Sequence, residues 1–172
     1  MEKGSTIVNM KDLFTEQLRD RFDAARQQNE FLPKLLSRIS DDGLRKLIDV
    51  AILNNRDQLE ELPNIFDAME RSPEGETCEG TKALIHEAME IISRSIDEEI
   101  IDVAIAVAVQ HIVHHDISGF RTCRTYAHEL GMQHIAKTLD KMHGDCVEVD
   151  DALNKIVMES IGERAVHPIT DY

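Results

Sequence analysis

Aromatic residues are scarce in this chain: tryptophan is absent, and two tyrosines and five phenylalanines make up 4% of its 172 residues. A sugar-stacking platform or a base-stacking nucleic-acid surface has little to be built from. Basic residues are also in the minority. Lysine and arginine total 19 against 33 acids, giving a formal charge of -14 and a pI near 4.9. That field repels phosphate backbones and anionic membranes, so neither nucleic acid nor a membrane is an expected partner, whereas cationic or neutral ones are. Cysteine is sparse as well. Cys78, Cys123 and Cys146 are odd in number and lack CxxC spacing, which argues against a disulfide framework or a structural zinc knot and fits a reducing compartment such as the cytoplasm. The N-terminus has no apolar stretch of the kind that marks export. The longest greasy run, Ile100 to Val113, is broken by Asp102, Gln110 and His111 and is shorter than the roughly 20 residues that cross a bilayer.

Eight glycines and four prolines leave few breakers, and the hydrophobic spacing is helical throughout. Between Asn9 and Ile39 the apolar stripe runs Phe14, Leu18, Phe22, Ala25, Leu32, Leu36 and Ile39, with Pro33 as a kink or break. Ser40 to Asp42 supply cap chemistry for a second helix carrying Leu44, Ile48, Ala51, Ile52, Leu59, Leu62, Phe66 and Met69, in which Pro63 predicts a bend. After the turn Arg71 to Glu76, a shorter amphipathic segment contains Leu84, Ile85, Ala88 and Ile92. A long helix then opens near Ser95 to Glu99, where acids suit the positive end of the helix dipole, and closes at Gly131. The last helix carries Ile135, Leu139, Met142, Cys146, Val149, Leu153 and Ile156 and ends by Gly162. The pattern predicts an all-α domain over 9–162 with flexible flanks at 1–8 and 163–172. Four long helices and a connection of about 25 residues suit a ferritin-like bundle with a crossover helix between its second and third members. No nucleotide, hydrolase or metalloprotease motif is present.

Several segments look familiar in order and spacing: Lys11 to Phe14, Phe22 to Gln27, Leu32 to Lys34, Asn55 to Leu62, Pro73 to Gly80, His114 to Thr122 and Lys137 to Asp140. Together they resemble the ferritin-like YciE/YciF family of bacterial stress proteins over residues 10–157. The resemblance implies a four-helix bundle with a crossover helix, commonly dimeric, and a centre able to hold a pair of iron or manganese ions. The family's ligand positions fall here on Ala25, on Ala51 and Asn54, on Val113, His114, His115 and Asp116, and on Asp140, Lys141 and Met142. Of the inward acids only Asp116 survives, with His114 beside it.

Two readings follow. In the first, the centre is an apolar replacement of a metal site, no cofactor is expected, and the protein is a non-enzymatic structural or interaction module. Its acidic surface would then be the recognition feature, and it is read as a homodimer. In the second, His114, Asp116, His143, Asp145 and asparagines form an altered di-metal centre with oxidase, peroxide-handling or storage activity. Helical spacing also permits a surface site at His111 and His115 for adventitious zinc or nickel, although these residues lie opposite the core stripe, toward solvent, the crossover helix or an interface. Asp116 and Asp145 are candidates for a close carboxylate pair. Asn29 and Asn55 fall on apolar stripes and read as buried amides that fix register. Cys123 and Cys146 read as neighbouring inert thiols, with Arg121 or Arg124 as the activating group if Cys123 is reactive.

Overall fold

The computed structural model describes residues 6–158 and 165–166. Five helices carry almost all of them: α1 (Met10–Leu35), α2 (Asp42–Ala68), α3 (Glu79–Arg94), α4 (Glu98–Glu129) and α5 (Gln133–Ile156), with a single 3-10 turn, Leu36–Arg38, after α1. No strand occurs among the described residues. The expected end of the last helix at Gly162, most of the tail and the first five residues lie outside them.

The first four helices start at a side chain that satisfies a free backbone N–H, whereas α5 follows Met132 without such a cap. Asn9 accepts from Asp12 N, Asp41 from Leu44 N, and Asp97 from both Glu99 N and Ile100 N. The helix read as opening within Ser95 to Glu99 is capped by Asp97 and begins at Glu98. At its far end Met132 N reaches Ala127 O at 2.9 Å and Gly131 N reaches His128 O at 3.0 Å. Gly131 adopts φ 73°, a left-handed conformation that costs a glycine little. Pro33 and Pro63 are carried inside α1 and α2 without ending them.

The four long helices pack in a ring, α1 on α2, α2 on α5, α5 on α4 and α4 on α1, while α3 crosses the outside of α4 and touches α1. This is the ferritin-like arrangement with a crossover helix. The centre is filled by Phe14 and Leu18 of α1, Leu44, Ile48 and Leu62 of α2, Ile105, Ile112 and Phe120 of α4, and Leu139 and Leu153 of α5. Each such side chain contributes roughly 1.5–3 kcal/mol by leaving water.

Among the described residues, α4 is the one helix long and apolar enough to cross a membrane, with a mean hydropathy of 1.4 over its most apolar stretch. It is longer than the Ile100 to Val113 run suggests, and half of that stretch is buried in the bundle. Asp102, which interrupts the run, is completely buried, and its charge is accounted for by the loop before α2. Its carboxylate accepts from Ser40 N and Asp41 N at 2.9 Å each and from the Ser40 hydroxyl.

Candidate functional site

At mid-height in the bundle α1 turns a buried arginine and a buried glutamine toward α4. Arg21 and Gln28 are seven residues apart, two helical turns, so they share a face. Both converge on Asp116: Arg21 Nη1 donates to Oδ1 at 2.9 Å and Gln28 Nε2 donates to Oδ2 at 2.8 Å. All three side chains are nearly or fully withdrawn from water. Gly119, one turn beyond Asp116, makes room for this. A Cβ there would lie 2.4 Å from Arg21 Cδ, so only glycine lets the arginine cross α4 at this point.

The electrostatics are those of a closed pair. Burial pushes Asp116 up to about 6, while Arg21 and Gln28 pull it down. Arg21 loses hydration but is held protonated by Asp116 and Asp20. At neutral pH the carboxylate is ionised and the guanidinium neutralises it.

Beside the pair lies a cavity of about 20 Å³ lined by Gln28, Asn55, Gln58, Val113, Asp116 and Cys146, among others. That is room for about one water. Asn55 donates to Ala25 O at 3.1 Å, and its Oδ1 is the one buried side-chain oxygen or nitrogen among the described residues without a hydrogen-bond partner. Ala25, Ala51, Val113 and Met142, at four of the family's ligand positions, are all buried and apolar. A pair of hard divalent ions needs several anionic oxygens. The donors here are one carboxylate already matched by a guanidinium, neutral amides and a thiol, and this set does not fit two such ions.

The other candidate ligands go elsewhere. His114 is exposed and meets Asp150 at 2.9 Å, so His114 and Asp116 diverge although they are two residues apart. Asp145 is held by Lys141 at 2.9 Å, and His143 is partly buried with its pKa lowered by desolvation and by Arg124. Asp140 pairs with Arg124 on the surface. Asn29 is exposed, a correction to its reading as a buried amide; Gln28, one position earlier, takes that role. Asn55 is buried as expected. Cys123 and Cys146 are free and buried, and desolvation raises both thiols, Cys123 to about 12. The arginine whose charge acts on Cys123 is Arg21 of α1, not Arg121 or Arg124.

His111 and His115 part company too. His111 is exposed on a shallow groove between α3 and α4, together with Leu84, Ala88, Ile91 and Val107. His115 turns under the start of the crossover helix, where it meets Cys78 and Asp20. Arg21, Gln28, Asp20 and Cys78 were not among the residues singled out from the sequence. A signal existed for two of them, since Phe14, Leu18, Arg21, Ala25, Gln28 and Leu32 form an unbroken 4-3-4-3-4 series.

Comparison with known proteins agrees with the architecture. The family model described as a domain of unknown function, DUF892, matches residues 9–166. YciF of Escherichia coli (strain K12) is 25% identical over 162 residues, covering 92% of this chain and 98% of YciF. Among solved structures, YcfI from Rhodopseudomonas palustris superposes with a TM-score of 0.84 at 27% identity, over 88% of this chain and 97% of its own. The crystal structure of the E. coli stress protein YciF gives 0.86 at 23% identity, over 91% and 99%.

Proposed function

This chain belongs to the DUF892 family, and on that footing we propose that it is a stress-associated bundle protein whose centre is closed by an internal ion pair instead of metal. It acts through its surface, as a structural or protein-interaction module, and not as an enzyme. The stress association follows from the relative named a stress protein, and a structural role has a parallel in YcfI, described as a proposed structural protein. The observation that carries the reading is the Arg21 guanidinium on Asp116, the one inward acid left among the ligand positions that the family resemblance implies. The guanidinium at 2.9 Å already matches the one carboxylate at the centre, which leaves no unmatched negative charge there for a divalent ion.

The charge of -14 belongs mostly to the surface, because Asp102 and Asp116 are the only acids among the buried residues described. This favours a cationic or neutral protein partner. The three unpaired thiols are consistent with a reducing, cytoplasmic setting. A homodimer is part of the proposal. Ile91, Ile96 and Ile100 stand exposed where α3 hands over to α4, and an apolar corner of this kind is stabilised by association.

Metal analysis of untagged protein expressed with added iron and manganese tests the reading. The expected result is far less than one equivalent of either. About two equivalents per chain, lost in Asp116→Ala, would establish the di-metal alternative with its oxidase, peroxide-handling or storage chemistry. Sedimentation tests the dimer, and a monomer mass at every concentration would contradict it.

A further inference from the structure

The sulfur of Cys78, the carboxylate of Asp20 and the imidazole of His115 face one another from three different elements. Asp20 is on α1, Cys78 is the residue that caps α3, and His115 is on α4. Cys78 Sγ lies 3.3 Å from His115 Nε2 and 3.4 Å from Asp20 Oδ2. In a tetrahedral zinc site, sulfur at about 2.3 Å and nitrogen or oxygen at about 2.0–2.2 Å from the ion stand about 3.5 Å from each other. Two edges of the donor triangle thus already have about that length, and the three ligand atoms all lie within 4.8 Å of one another. We propose that Asp20, Cys78 and His115 are a binding site for a single thiophilic divalent cation of the zinc class, distinct from the bundle centre.

The place is already one for a positive charge. Arg21 Nη2 sits against all three donors, at 2.5 Å from Asp20 Oδ2, 2.7 Å from His115 Nε2 and 3.5 Å from Cys78 Sγ. An arginine only donates, so His115 Nε2 is the acceptor and its ring is the tautomer that offers a lone pair to an ion. Entry of the ion takes the place of Nη2, so the planar guanidinium turns away from the three donors as a unit, with the neighbouring Asp116 as its remaining counter-charge. The charges then balance: a divalent cation and one guanidinium are matched by Asp20, Asp116 and the Cys78 thiolate. The thiol releases its proton to solvent on binding, so affinity rises with pH.

The surroundings hold the donors in place. Asp23 accepts from Cys78 N at 2.7 Å, Gln27 donates to Cys78 O at 3.1 Å, and Thr81 N approaches the sulfur at 3.5 Å. At Gly80 a Cβ would come within 3.1 Å of the His115 ring, so the absence of a side chain seats the imidazole against α3. Cys78 and Arg21 are buried but the Asp20 side chain is about a third exposed (32%), giving the ion a route in and a water a fourth position.

Cobalt(II) titration of the reduced, chelator-treated full chain tests the proposal. The expected result is a sulfur-to-cobalt charge-transfer band in the near ultraviolet with visible bands of a tetrahedral ion, saturating at one equivalent and bleached by zinc. Cys78→Ser abolishes the charge-transfer band. Asp20→Asn and His115→Gln each weaken cobalt by about tenfold or more, since even residues behind the ligands carry 10–100-fold in such sites. His111→Ala changes nothing. Absence of a thiolate band at a large excess of cobalt in the unmodified protein would overturn the proposal, as would a band that persists in Cys78→Ser. The iron and manganese test of the bundle centre is separate, because its signature depends on Asp116 and not on sulfur.

Discussion

Arg21 joins two arrangements that would otherwise be independent. One nitrogen of its guanidinium neutralises Asp116 in the bundle, and the other meets Asp20, Cys78 and His115 at the base of the crossover helix. Replacing it with an apolar side chain leaves Asp116 buried without a counter-charge. Arg21→Met is expected to cost about 3–5 kcal/mol in urea denaturation near neutral pH. Arg21→Met with Asp116→Leu recovers most of that loss, because two apolar groups leave no charge unpaired. The pH dependence has a definite sign. With Asp116 raised from 3.8 to about 6 in the folded chain, the fold holds a proton that the unfolded chain has released. The Asp116 contribution is therefore fully present below about pH 4 and is lost as pH rises through about 6. Denaturation of the protein and of Asp116→Asn from pH 4 to 7 measures this: the advantage of the aspartate form narrows as pH rises. Ala25, Ala51, Val113 and Met142 were legible as core residues because each lies on an apolar stripe. Arg21 and Gln28 were not, because a basic or amide side chain on such a stripe has no visible reason to be buried until its partner on α4, nearly a hundred residues away, is placed beside it.

At the scale of elements, the helices were legible because their signals are local. Caps at Asn9, Asp41 and Asp97, the glycine at 131 and the 3-4 spacing all act within a few residues of where they are read. What was not legible is how elements are tied across the fold. Asp102 looked like an interruption of an apolar run, yet its carboxylate fastens the entrance of α2 to α4 across about sixty residues of sequence. Asp102→Ala removes the acceptor of the part-buried N–H groups of Ser40 and Asp41 and is expected to destabilise the protein by about 1–3 kcal/mol, read from the urea midpoint. Amide exchange is the accompanying readout, with the first turn of α2 losing protection before the middle of the same helix. Cys78 is similar: as a cap residue it is an unusual choice, and its pairing with His115 depends on α3 crossing α4 at one register. The i, i+4 relation of His111 and His115 suggested a common site on α4, but α3 packs against that helix and separates their surroundings.

For the whole molecule, the acidic composition and the bundle resemblance pull in opposite directions. An excess of acids on a ferritin-like fold suggests a carboxylate-rich centre, whereas the folded chain buries only two acids among its described residues and gives each one its own partners. The other acids among the described residues are partly or fully exposed. The central claim, that the bundle is closed by Arg21 and Asp116 in place of metal, is tested most directly by a crystal soaked in manganese(II) and measured for anomalous scattering. The account predicts guanidinium density against the Asp116 carboxylate and no anomalous peak between α1, α2, α4 and α5. Two peaks coordinated by Asp116, with Arg21 swung away, would contradict it.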